Sequence, residues 1–162
     1  MKDIQTLKFY WLKYEISAIH ALINNSPGIQ NFVFSFYLPN TTNEDKAMQL
    51  VAYSFMVPAN QYSSNYDTLS PYKNNALELS GPFIMSNNII SIADMLLLIN
   101  TPDPIGGDKP DYLIFIPNIS DGQHIYYDVK RYKRVDTGDV EIGSQSTNPI
   151  NTNPSPPATV IQ

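Results

Sequence analysis

With 162 residues and 43% of them apolar, the chain has the length and hydrophobicity for one folded domain, and it is not disordered as a whole. It has no cysteine, which excludes disulfides, thiolate catalysis and Cys-ligated zinc. The formal charge of −5 is unevenly spread, at −7 over residues 31–129 against +4 over residues 130–134, so the field of most of the molecule repels phosphates and argues against general nucleic-acid binding.

Residues 6–23 read two ways. As a helix they carry two separate apolar stripes. As a strand, Leu12, Tyr14, Ile16 and Ala18 alternate with Lys13, Glu15 and Ser17, and Phe9, Tyr10 and Trp11 add β preference. We expect a strand over 6–18, with 17–23 open to helix. Pro27-Gly28 marks a turn. Phe32, Phe34, Phe36 and Leu38 then share one face of a strand closed by Pro39. A polar loop over 40–46 leads to a second strand over 47–57, and the two form a candidate hairpin. Residues 59–75 are a long polar stretch with Tyr62, Tyr66 and Tyr72, read as a loop. A further strand is expected over 76–85, bent at Gly81-Pro82.

The best helix is 91–99. Ser91 and Asp94 fit a capping box, and Ile92, Met95, Leu96 and Ile99 fall on one face. Thr101-Pro102 ends it. The clearest signal in the chain is a hairpin over 111–135. Residues 112–117 are an almost unbroken apolar run, as in a strand buried on both faces, and Pro117 is expected to end it. Asp121-Gly122 suits the turn. The return strand alternates, with Ile125, Tyr127 and Val129 inward and Tyr126, Asp128, Lys130 and Tyr132 outward. After Val135 the composition turns to Gly, Ser, Thr, Asn and Pro.

The fold class is therefore α+β: a mainly antiparallel sheet, barrel or sandwich of about six strands with one short helix at 91–99. A globular domain over 1–143 is followed by an extended Pro/Asn/Ser-rich tail over 144–162, expected to make few contacts with its own domain. Trp11, Phe34, Phe36, Leu96, Phe115 and Tyr127 are the expected core. Early apolar runs are interrupted by Lys2, Lys8, Lys13 and Glu15, so no cleavable signal peptide is evident, and the longest apolar run, 89–99, is too short to span a bilayer. A soluble protein is expected. The triplets beginning at Asn24, Asn40 and Asn118 match the glycosylation pattern by chance in an Asn-rich chain.

No stretch specifies a reaction. Asp136-Thr137-Gly138 resembles the aspartic-protease triplet over three residues only, within a charged context and with 24 residues after it. His20 and His124 are the only histidines. His124 with nearby Asp128 is the better acid–base candidate. Asp103, Asp108 and Asp111 lie in a Gly/Pro-rich loop that reads as a rigid turn more readily than as a calcium site, and Gly106-Gly107 lacks the remainder of a phosphate loop. The sharpest local feature is Lys130, Arg131, Tyr132, Lys133 and Arg134. It reads as charge guarding an edge strand or as a partner-binding site for an acidic protein. Only 15% of residues are charged, while Tyr and Asn are plentiful, a composition suited to surfaces covered by other chains. The expectation is a non-enzymatic structural or adaptor subunit of a larger assembly, of virion, injection-tube or secretion type, with protein partners, possible self-association and no cofactor. The alternatives are a small acidic binding or immunity-type module and an enzyme using His124.

Overall fold

The computed structural model describes residues 6–38, 47–143 and 150–154. In chain order the elements are β1 (Thr6–Glu15), α1 (Ile16–Asn24), β2 (Ile29–Tyr37), β3 (Ala47–Met56), β4 (Gln61–Tyr62), β5 (Asp67–Thr68) and β6 (Ser70–Ser80). They continue with β7 (Asn88–Ser91), α2 (Ile92–Asn100), β8 (Tyr112–Ile119), β9 (Ile125–Lys133), β10 (Val140–Ile142) and β11 (Asn153–Pro154). The fold is mainly β, as expected, but the described residues form eleven strands rather than about six and two helices rather than one.

One strand path runs β10-β9-β8-β1-β3-β2-β7-β11, with β6 on β1 and with β4 and β5 on β3. All pairings between these strands are antiparallel except β1 with β3, where only Lys8↔Ala47 and Phe9↔Met48 pair. The path curls until its β11 end reaches β9. On the edge of β9 away from β8, Thr152 N donates to Tyr127 O (2.8 Å) and Val129 N donates to Ile150 O (3.3 Å). The same segment pairs with β7 through Asn153↔Ile89 and Pro154↔Asn88. Residues 150–154 thus close the sheet into a ring.

The enclosed core is aromatic. Phe9, Phe32, Phe34, Phe115 and Tyr127 are fully buried, with Phe34 and Phe115 ring centres 5.1 Å apart. Ile19 and Leu22 of α1 and Met95, Leu98 and Ile99 of α2 enter the same cluster. Phe34, Phe115 and Tyr127 are buried as expected, and Phe36 packs partly against them. Trp11 and Leu96 are corrections. The β1–β6 register shifts between Tyr10 and Leu12, so Trp11 falls at an irregularity that lets Phe9, Leu12 and Tyr14 all face inward, and Trp11 itself is only half-buried. In α2, Leu98 takes the inward place and Leu96 is 40% exposed.

Strand β1 stops at Glu15, three residues short of the expected end, and α1 follows directly. Glu15 makes no side-chain cap, and Ile16 N instead donates to Asp111 O across the chain (3.1 Å). Helix α2 keeps its expected cap, Asp94 N donating to Ser91 Oγ (3.1 Å). Strands β2 and β3 form the expected hairpin, with Val33 opposite Tyr53 and Phe36 opposite Leu50. Their connection at 39–46 lies outside the described residues. The polar stretch 59–75, expected as a loop, instead holds β4, β5 and half of β6. These strands pair along β3 and β1 through main-chain bonds that need no apolar face. The strand expected at 76–85 is β6, which begins and ends earlier. Gly28 closes the turn before β2. Its φ is +68°, and a Cβ there would stand 2.0 Å from Val57 O, so only glycine fits.

Pro117 does not end β8, which runs on to Ile119. Tyr127, its partner, spends both main-chain groups on Thr152, so Pro117↔Tyr127 is a non-hydrogen-bonded pair and the absent N–H of Pro117 faces away from β9. On that side β1 pairs only as far as Phe115.

Candidate partner-binding surface

Four residues of the basic cluster sit at the end of β9 and Arg134 follows directly after it, and alternation divides them. Arg131 and Lys133 continue the inward row of Ile125, Tyr127 and Val129. Lys130, Tyr132 and Arg134 continue the outward row. Edge protection does not describe this strand, because β9 has no free edge there. Beyond β8 on one side, the other side is bonded in turn by Ile84 at residues 123–125, by 150–152 at Tyr127–Val129, and by β10 at Arg131–Lys133.

Arg131 is engaged internally. Its Nη1 donates to Leu98 O (3.3 Å) and to Thr101 O, satisfying carbonyls at the C-terminal end of α2. Gly143 makes room for that guanidinium, since a Cβ there would lie 1.9 Å from Arg131 Nη2. Burial lowers the Arg131 pKa, partly offset by Asp103. Lys130 Nζ lies 3.7 Å from Glu141 across the β9–β10 pair. Arg134 hydrogen-bonds Glu15, which raises its pKa, and its main-chain N donates to Asp111 Oδ2 (2.8 Å). Lys133 has no ion-pair partner among the described residues.

The outward row builds something sequence reasoning did not anticipate. Tyr132 stacks on Tyr112 of β8, with ring centres 5.6 Å apart and planes 10° from parallel. Tyr72 of β6 meets both rings at 6.0 and 6.3 Å. Arg134 and Lys13 lie over the Tyr112 ring at 4.8 and 5.3 Å, and Lys73 lies 5.1 Å from the centre of Tyr72. Tyr112 is buried beneath these neighbours, and its hydroxyl donates to Asp139. Burial foremost, then the bonds to Asp139 and Tyr72, holds its phenol pKa well above the usual range. Tyr132 shifts the same way, through burial, Glu141 and Tyr72. Hairpin register was a legible signal for part of this, since pairing outward from the turn sets Tyr112 opposite Tyr132. Nothing local in 59–75 pointed to Tyr72.

The other candidates fall elsewhere. His20 is exposed on α1. His124 sits in the β8–β9 turn, where its main-chain N donates to Ser120 Oγ (3.1 Å) and its buried Nδ1 has no partner among the described residues. Asp128 instead accepts from Asn118 Nδ2 (3.2 Å), and no hydrogen bond joins it to His124. Asp103 closes its own turn, accepting from Ile105 N (3.2 Å) and Gly107 N (3.0 Å), and Asp111 serves Arg134. Among the described residues no group of three or more His, Asp or Glu is placed to hold a metal ion, and no helix is long and apolar enough to cross a membrane. An open depression of about 470 Å³ lies between Asn25, Pro27, Met56, Gln61, Tyr62 and Asn65, offering amides and one aromatic edge. Comparison with protein-family models, with curated proteins and with solved structures finds no match to this chain.

Proposed function

We propose that this chain is a non-enzymatic structural or adaptor subunit of a larger protein assembly, of virion, injection-tube or secretion type, and that the outer face at the end of β9 contacts a protein partner. The observation that carries the reading is the outward platform of Tyr72, Tyr112 and Tyr132 ringed by Lys13, Lys73, Lys130 and Arg134. Tyrosine offers large contact area with few rotatable bonds, and tyrosine and arginine both concentrate binding energy at interfaces. Rings already stacked on one another lose little side-chain freedom on docking. Lys130, Tyr132 and Arg134 form the proposed contact on this face, and Lys133, on the opposite row at the end of β9, adds positive charge beside it. Arg131 supports it from below by holding α2. The low share of charged residues and the exposed Leu96 and Leu97 on α2 suit a subunit whose surface is shared with others.

The reading is tested by association at low and high salt for wild type, for Tyr72→Ala/Tyr132→Ala and for Lys130→Glu/Lys133→Glu. The tyrosine variant is expected to weaken association at both salt concentrations. The charge reversal is expected to weaken it chiefly at low salt, where the Debye length is about 30 Å at 0.01 M. Association unchanged in both variants would reject this face. A wild-type chain that stays monomeric would reject the assembly and favour a small acidic binding module.

A further inference from the structure

The ring of strands is closed by main-chain bonds, one hydroxyl and one side-chain amide, not by an apolar side-chain zipper. Thr152 is buried. Its Oγ1 accepts from Tyr127 N (2.7 Å) and donates to Asn88 Oδ1 (2.8 Å). Asn88, also fully buried, donates from Nδ2 to Ile125 O (3.1 Å). Asn151 stands opposite Asp128, and its amide, oriented to satisfy both groups, donates to Asp128 Oδ1 (2.8 Å). The edges of β9 and β7 thus form a slot in which Tyr127 N and O, Asn88 Oδ1 and Asp128 Oδ1 meet one extended segment with threonine at its centre.

The path into that slot has spare length. Ile142 of β10 faces Arg131, and Asn151 faces Asp128. The chain advances nine residues while β9 retreats three, so it carries six more than a continuous strand along β9 requires. Nine residues reach roughly 30 Å when extended, against roughly 10 Å between their two stations on β9. A chain with that reach can place its closing segment in a neighbour's slot.

We infer that the β9–β7 slot is a strand-acceptor site whose partner is a second copy of this chain, each copy lending residues 150–154 to the next. An identical copy reproduces every bond named above, which is why exchange of a closing element between protomers is an inexpensive route to association. This inference rests on the assembly reading and names one contact within it.

The absence of cysteine makes a clean test possible. Asp128 and Asn151 form a non-hydrogen-bonded antiparallel pair, the arrangement that brings side chains closest and suits a disulfide. Full-length Asp128→Cys and Asn151→Cys chains are mixed, refolded together and oxidised, with each variant alone as control. Strand exchange predicts a cross-linked pair of unlike chains in the mixture, lost when Thr152→Val is added to the Asn151→Cys chain. In the double variant Asp128→Cys/Asn151→Cys it predicts multi-chain species on a non-reducing gel. A double variant that closes only within its own chain, with no cross-link between the single variants, overturns the inference. Light scattering on the wild type separates the two readings: multimers without this cross-link leave the assembly standing and remove strand exchange, whereas monomers throughout remove both.

Discussion

Replacing Thr152 by valine keeps the shape of the side chain and removes one hydroxyl. That hydroxyl is the partner of both Tyr127 N and Asn88 Oδ1, and Tyr127, Asn88 and Thr152 are all inaccessible to solvent. Each buried group left without a partner costs about 1–3 kcal/mol. The two share one hydroxyl and one slot, so their losses are not independent, and we expect a total of about 2–4 kcal/mol. Thr152→Ser keeps the hydroxyl and loses one methyl group, with an expected loss of about 1 kcal/mol. The assay is urea unfolding, in which Thr152→Val lowers the midpoint with an unchanged slope, the mark of a stability change without a change in surface exposed. A shift within about 0.5 kcal/mol of wild type, the range of ordinary surface substitutions, would refute the reasoning and release 150–154 from the fold.

Three further outcomes follow from the core. Phe115→Ala is expected to destabilise by about 3–5 kcal/mol through lost transfer energy and a residual cavity, since Phe115 is fully buried against Phe34, Tyr14 and Tyr127; a loss under about 1 kcal/mol in the same unfolding assay would contradict that packing. Tyr127→Phe should be neutral or stabilising by about 1 kcal/mol, because the buried Tyr127 hydroxyl has no partner among the described residues; a clear destabilisation would mean that the hydroxyl is satisfied. Alkali should destabilise the fold. Burial raises the phenol pKa of Tyr14, Tyr112 and Tyr127, with Asp67 adding to Tyr14 and Asp139 and Tyr72 to Tyr112. The folded state keeps protons that the unfolded state releases above about pH 10, so stability is full below that pH and falls as pH rises past it. Urea midpoints that stay level from neutral pH into strong alkali would contradict this.

The parts of the fold that were legible in the sequence are those written in side chains. The β8–β9 hairpin announced itself because a run buried on both faces met an alternating strand at Asp121-Gly122. Helix α2 announced itself because Ser91 supplies an oxygen to Asp94 N. The parts that were not legible are held by main chain. Strand β6 pairs with β1 while showing solvent a mostly polar surface, and α1 starts with a bond to a distant carbonyl in place of a cap. Among the three consecutive leucines of α2, helical spacing put Leu96 on the inward face, and Leu98 takes that place instead. The tail was expected to make few contacts with its domain, and for 150–154 this does not hold: these residues close the ring through backbone bonds and one threonine, a signal too small to see in a Pro/Asn-rich stretch. The remainder of the tail, 144–149 and 155–162, lies outside the described residues.

At the candidate surface, the basic cluster was visible as composition but not as geometry. Alternation along β9 already separated Arg131 and Lys133 from Lys130, Tyr132 and Arg134. The consequence, one arginine holding α2 and a tyrosine platform on the opposite face, depends on where Leu98, Thr101, Tyr72 and Tyr112 lie in space.

The claim that this chain works as one of many copies or partners is tested most directly by its mass in solution. Size-exclusion chromatography with light scattering, run on the full-length wild type over a range of concentrations, should give a discrete multiple of the 18.3 kDa chain. A mass of one chain at every concentration would contradict the account.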